Sequence, residues 1–509
     1  MTNSGSIPRG LIIFGIAIPL AALLGFMVAT PDDMTSIAGV AAVVGILGIP
    51  IALKWHQPLL IFGWNAAVAF SFLPGDPQLW VLAALASLAI TVINGILNKN
   101  IRHNGVCAVS WSLLALVAVV FVTAQFTGGV GLRAMGGESY GGKKYILIFL
   151  DVLAYFALSM QRIPLAKVQS SCALFSLSGM THALANLVYY VPSLWFVYWV
   201  VPTDFAISKA SEDLTLGNFE TKFGRLGGIG VASLAIYSFM LIRYGIFGIM
   251  DFTKPWRILA VAVCFGLGML GGFRSIIILF ALFFFVQSYF EGFHRTRRFM
   301  VMIAIGLFSL LLVIPFAQRL PISVQRTLSI LPIEVDAAVR INAQASTDFR
   351  LDMWELLLPE IPRHFFLGKG YVTSASDYYF AQESMRRGFA GEYEASRVAG
   401  DYHSGPLSIL IPFGIWGVLA FVAFNIASIR VLYANHKFGD PTLKTINVFL
   451  LSNYVARLIM FYFGFGAIQI DLLTLGGLVG LSISLNGGMK KRPDLASPPS
   501  AIADGSTRG

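Results

Sequence analysis

The chain has 509 residues, of which 56% are hydrophobic and only 12% charged, with a mean hydropathy of +0.74. A water-soluble globule carries about 25% charged residues, so the composition excludes one and assigns the chain to a bilayer. The net charge of +10 does not signal nucleic acid, because Lys and Arg stand in small groups between apolar runs and report orientation instead.

From the N-terminus, apolar runs of about 17 to 25 residues recur, the length a helix needs to cross a hydrocarbon core of about 30 Å. The first, near 10–29, has only Arg9 ahead of it and no small-residue cleavage signal before Pro31-Asp32-Asp33. It reads as a retained span rather than a signal peptide. Further spans are expected near 36–53, 58–73, 78–97, 105–126, 144–160, 171–200, 227–249, 257–271, 275–290 and 299–317, and after a long gap near 405–429, 443–463 and 470–486. The two runs between 144 and 200 admit more than one cut. The expected fold is an all-α polytopic membrane protein of about 12–14 transmembrane helices with one large extracytoplasmic loop. Its expected parts are transmembrane helices over 1–318, a periplasmic loop over 319–404, C-terminal transmembrane helices over 405–488 and a disordered cytoplasmic tail over 489–509, rich in Ser, Pro and Gly. Cys107, Cys172 and Cys264 fall in or beside different apolar runs and read as packed thiols, neither a disulfide framework nor a metal set.

Orientation follows from counting crossings with the N-terminus in the cytoplasm. Lys54, Lys99, Arg102, Arg162, Lys167, Lys254, Arg257, Arg295, Arg297, Arg298, Arg430, Lys437, Lys444, Lys490, Lys491 and Arg492 then face the cytoplasm, while Asp32, Asp33, Asp76, Glu138 and the mixed segment from Asp204 to Arg225 face the other side. This agrees with the positive-inside rule and puts the long loop outside the cytoplasm. Within the loop, 335–358 has helix-compatible spacing, with Phe349, Trp354, Leu357, Leu358 and Ile361 on one apolar face and Trp354 as an interfacial anchor.

The same count brings separated cations to one surface. Arg225 precedes a span, Arg274 sits in the short turn Gly271-Gly272-Phe273-Arg274-Ser275, Arg350 lies in the loop helix, and His403 ends the loop. Arg457, about 20 Å into its helix, reaches toward that side, and Lys369, Asp401, Arg386 and Arg387 belong to the loop. Each has a plainer role open to it: Arg274 and Arg225 as solvated loop residues, Arg350 paired with Asp352 or Glu355, and Arg457 bonded to a carbonyl or to Asp471. Arg386 and Arg387 read as solvated or headgroup contacts, and His403 alone reads as a helix cap. Together they suit a membrane-bound pyrophosphate. Guanidinium groups bind phosphate bidentately and stay charged, and a histidine with an ordinary pKa of about 6.5 can take the proton of an attacking hydroxyl. Asp401, if ionised beside it, would raise that pKa and could orient the ring.

The order of these features resembles the O-antigen ligase and polymerase superfamily. Arg225-Leu226-Gly227-Gly228 comes first, then Gly272-Phe273-Arg274-Ser275 opening an apolar helix, then Arg350 and Trp354 leading to Phe366-Leu367-Gly368-Lys369-Gly370, then His403 before an apolar helix with Gly414-Ile415-Trp416-Gly417. Ser404 departs from the pattern, since asparagine is commoner there. The resemblance covers roughly 220–430 and implies a cofactor-free, metal-independent inverting glycosyltransferase with a glycosyltransferase C-like helical fold. It would act at the periplasmic face of the bacterial inner membrane. The donor implied is an undecaprenyl-pyrophosphate-linked glycan, and the acceptor a glycan or lipid A core, with a chain-length regulator or other assembly proteins as further partners. Carried over are His403 as base and Arg274, Arg350 and Arg225 as pyrophosphate ligands; Arg457, Lys369 and Asp401 are added from position and charge. The competing reading is a transporter or flippase of lipid-linked glycans, which would place binding charges near the bilayer midplane.

Overall fold

The computed structural model describes residues 53–71, 73, 75–97, 104–129, 141–201, 211–216, 219–224, 226–331, 333–387 and 393–492, with isolated positions before 53. Among the described residues, nine helices are long and apolar enough to cross a membrane: Leu79–Leu97, Cys107–Thr127, Leu165–Val188, Gly227–Ile249, Arg274–Glu291, Arg297–Arg319, Gly405–Phe438, Pro441–Phe463 and Ile468–Asn486. Trp256–Met269 adds a shorter apolar helix. The protein is an all-α polytopic membrane protein, its described residues carrying one two-stranded antiparallel hairpin, Ser211–Leu216 with Phe219–Gly224. The expected spans near 10–29 and 36–53, and the tail beyond 492, lie largely outside the described residues.

Two expected spans are cut differently. The run 58–73 is helical only to residue 63, after which the chain turns and forms a bridge between Ala69 and Gln78. The cause lies in tertiary partners for polar groups. The Trp64 indole donates to the Leu473 carbonyl at 3.0 Å, and the Asn65 amide to the Phe175 carbonyl at 2.7 Å. The run 171–200 continues the Val168–Leu177 helix through a 3-10 turn, Ser178–Thr181, into His182–Tyr190, and ends as a separate 3-10 segment, Pro192–Trp199. That segment meets the non-helical one, since the Ala69 and Ser71 N–H groups donate to Val200 and Trp199 at 3.0 and 3.1 Å. Backbone that leaves helical geometry in a bilayer must find partners in protein, and here two irregular segments supply them to each other.

The Ile468–Asn486 helix runs through the centre against Gly142–Ser159. Gly477 lies directly beneath the Trp64 indole, where a Cβ would come within 2.2 Å of Nε1. Small residues at such crossings let helices approach without a hydrophobic driving force from lipid. Away from the loop, Asn435, Asn447, Ser482 and Asn486 form a buried network, with Asn447 and Asn486 exchanging amide bonds at 3.1 and 2.8 Å.

The feature that positions the long loop is a break in the Gly405–Phe438 helix. Pro412 lacks an N–H, and Gly414 stands at φ 62°, outside helical geometry. The groups released by the break are taken up by residues 365–370. Lys369 and Gly370 N–H donate to the Ile411 and Pro412 carbonyls at 2.8 and 3.0 Å, and Ile415 N–H donates to the Phe365 carbonyl at 2.7 Å. Gly368 and Gly414 are both required, since a Cβ on Gly368 would lie 2.1 Å from the Pro412 carbonyl oxygen and one on Gly414 2.5 Å from that of Phe366. Gly368→Ala is expected to cost about 2 kcal/mol or more through strain and lost bonds. Thermal unfolding of the purified protein in detergent checks this; an unchanged midpoint would show that the crossing does not need the glycine.

Candidate functional site

The loop helix Ala337–Leu357 organises the site. Its N-cap is Asp336, whose carboxylate accepts the Ala338 N–H at 2.8 Å. Phe349, Met353, Leu357 and Ile361, four residues apart, pack on Tyr402, Leu407 and Ile411 at the start of the broken helix. The expected apolar face is thus right at Phe349, Leu357 and Ile361 and wrong at Trp354 and Leu358, which are 42% and 56% exposed while Met353 is buried. The four-residue step from Phe349 falls on Met353, and the larger ring beside it points outward.

A neighbouring face of this helix meets the arginines. Arg274, first residue of the Arg274–Glu291 helix, donates from Nη2 to the Ala343 carbonyl at 3.0 Å and to Thr347 Oγ1 at 3.4 Å. Arg350 stands one turn beyond Thr347, and the two guanidinium charges act on one another. Neither Asp352 nor Glu355 forms an ion pair with Arg350 among the described residues. Half-burial lowers the Arg350 pKa from its ordinary value. Two unpaired like charges side by side favour an anion between them.

His403 completes the group. Its ring lies edge-on to Phe349 and tilted against Phe465, each at 5.2 Å between centroids. Its backbone is at φ 50°, and among the described residues only Asp76 shares a positive φ without being glycine. Left-handed backbone at a side chain of this size is costly and persists where the surroundings impose it. Here the Gly400 turn precedes it and the helix begins two residues later. Ser404, the N-cap of that helix, is buried and its side chain makes no capping bond.

Other expected site residues lie elsewhere. Asp401 accepts from Lys144 Nζ at 3.0 Å, and the same ammonium donates to the Ala399 carbonyl at 2.7 Å. Lys369 and Arg397 both pair with Glu360, at 3.1 and 2.8 Å. Beside them is a cavity of about 430 Å³ bordered by Tyr371, Asp377, Phe380 and Tyr402. Burial pushes up both tyrosine hydroxyls there. Arg386 and Arg387 share exposed Glu383 pairings on the Ala375–Arg386 helix. Arg457 belongs to a second cavity, deeper among the spans. Arg225 lies outside the described residues; Leu226, which follows it, donates to the Leu270 carbonyl at 3.2 Å, next to the Gly271-Gly272 turn.

Arg326 is absent from the expected set. Buried in the short helix Ile322–Leu328, it donates from Nη1 to the Gly272 carbonyl at 2.9 Å and from Nε to Asn342 on the loop helix. Thr327 beside it donates to the Met269 carbonyl at 3.0 Å. One guanidinium thereby ties the Arg274 turn to the helix that carries Arg350. The available signal was the polar triplet Gln325-Arg326-Thr327 just after Pro321, too short a pattern to separate from ordinary loop.

Residues 257–422 match the family model for O-antigen ligase. This segment is similar to the O-antigen ligase family. The matched segment holds Arg274, Arg326, Arg350 and His403 and the break at Pro412–Gly414, while Arg225 and Arg457 fall outside it. A search of curated proteins finds no match to the chain.

The Glu360 pairings make the long loop acid-sensitive. Burial raises the Glu360 carboxyl, but Lys369 and Arg397 outweigh it and hold the group below its ordinary 4.5. A carboxyl depressed in the folded state contributes stability that is complete above its unfolded value and disappears as pH falls through the folded one. Loop proteolysis should therefore accelerate below about pH 4.5, and Glu360→Gln should flatten that dependence. An equally steep acid response in the variant would place the sensitivity elsewhere.

Proposed function

We propose that the protein is a membrane glycosyltransferase of the O-antigen ligase or polymerase type, using a glycan carried on undecaprenyl pyrophosphate at the periplasmic face of the inner membrane. The observation that supports this most is the hydrogen bonding of Arg274 to Ala343 and Thr347, which sets Arg274 beside Arg350 of the helix that also touches His403. A pyrophosphate diester would sit between Arg274 and Arg350, with Arg225 as a further ligand. His403 accepts the proton from an acceptor hydroxyl as that oxygen bonds to the anomeric carbon. The bond from that carbon to the pyrophosphate breaks on the opposite face, inverting the centre, and the leaving oxygen's charge falls to the arginines. The histidinium then gives its proton to solvent. Neutralisation by guanidinium assigns no step to a metal.

His403→Ala should lower glycan transfer in proteoliposomes by about 10² to 10⁴-fold, the usual contribution of a general base. Arg350→Gln should raise the apparent KM for the lipid donor and also lower kcat, since one of the charges that bind the pyrophosphate and take up the leaving oxygen's charge is lost. Full turnover by folded His403→Ala protein would remove the base from the scheme. The acceptor is read from cells lacking the protein: a single capped repeat marks a polymerase, and accumulated carrier-linked polymer marks a ligase.

A further inference from the structure

Arg457 lies about 20 Å from the start of its helix, among helices long enough to span the membrane. A charge at such depth is costly and needs a partner. A guanidinium carries five N–H donors. Among the described residues Arg457 has one long bond, from Nε to Asn453 Oδ1 at 3.4 Å, and the Phe283 ring at 5.9 Å. Asp471 acts on it through charge alone, its carboxylate already accepting the Ala467 N–H at 2.9 Å.

The remaining donors border a cavity of about 430 Å³ whose lining combines Asn453 and Gln469 with large apolar groups, including Trp64, Phe449 and Leu473. One of its walls reaches the outside of the bundle at Ile470, which is 60% exposed on the Ile468–Asn486 helix. A guanidinium facing a chamber with large apolar walls and an exposed residue at its border has the form of an amphiphile site. The chamber is separate from the Arg274, Arg350 and His403 group. The two meet at the turn after Phe463, where Phe465 packs on His403 and Gln469 borders the chamber.

We infer that this chamber is a second binding site, for the phosphate-bearing head of a membrane lipid, with Arg457 as its anion ligand and Ile470 at the opening for its hydrocarbon tail. The phosphate supplies acceptors beyond those of the described residues, and apolar walls and bilayer take the chain. The inference does not rest on the transferase reading.

The full chain, purified in detergent, is titrated with undecaprenyl phosphate and with phosphatidylglycerol, and bound lipid is counted by native mass spectrometry. Their uncharged counterparts, undecaprenol and diacylglycerol, serve as controls. Phosphate-bearing probes should bind more tightly than the neutral ones, and Arg457→Gln should weaken them about 10-fold or more, as expected for loss of a charge-assisted contact, while Arg457→Lys retains part of the binding. Ile470→Trp, which narrows the opening from an exposed position, should reduce binding with Arg457 intact, so the inference stays testable if Arg457→Gln fails to fold. Preference for undecaprenyl phosphate would identify a polyprenyl carrier, and equal binding of phosphatidylglycerol a bilayer headgroup; both support the site. Equal binding of neutral and phosphate-bearing probes, or affinities unchanged in both Arg457→Gln and Ile470→Trp, would overturn it.

Discussion

The exchange of backbone hydrogen bonds between residues 365–370 and the broken helix at 411–415 is the constraint on which the loop side of the molecule depends. A helix interrupted among spanning segments leaves carbonyl and N–H groups that lipid cannot satisfy, so the interruption survives only with protein laid against it. The loop is the protein that does so, and three backbone bonds of 2.7 to 3.0 Å fix its register. Thr123 Oγ1 adds a bond to the Leu367 carbonyl at 3.1 Å from the other side. Once 365–370 is seated, the loop helix can lie only where its apolar face meets Tyr402, Leu407 and Ile411. Its position sets where Arg274 and Arg350 meet, and Phe349 carries that placement to His403.

Polar groups within the bundle are used for position more than for stability. Arg326 makes bonds to two elements that the chain separates by two spans, and the Asn447 and Asn486 amides pair across helices. Such bonds in membranes have modest net worth, because competing arrangements also find partners. Their directional geometry nevertheless distinguishes one register from its neighbours, and apolar packing alone does so weakly. Arg274 and Arg350 differ from Arg326 in this respect. Arg326 is buried and tied to Gly272 and Asn342, whereas the other two stand together with donor capacity to spare.

The spanning helices were legible because a bilayer enforces length and hydropathy, and the loop helix because a four-residue step is visible at Phe349, Leu357 and Ile361. Where the reading failed, tertiary partners decided. Residues 64–73 are apolar enough for a helix, yet Trp64 and Asn65 find carbonyls more than a hundred positions away and the helix stops. Met353 and Trp354 are adjacent and both apolar, and only the position of Tyr402 and Leu407 decides which one is covered. Arg274, Arg350 and His403 could be grouped in advance because each borders a span or the loop and their chemistry is shared. Arg326 could not, since its importance lies in two distant carbonyl oxygens that no local pattern reveals.

The bonding of residues 365–370 to 411–415 also bears on assembly during synthesis. The loop emerges from the ribosome before the helix that holds its register, and the wall formed by Trp64 waits for Leu473, 409 positions later. Neither the packing that seats the arginine group nor the Arg457 chamber can be complete until the C-terminal helices have arrived. A chain truncated after the loop would therefore retain most of its spans while lacking the helix start that seats the loop helix and the final walls of the Arg457 chamber. The parts made first serve as scaffold, and the last three helices turn that scaffold into a site.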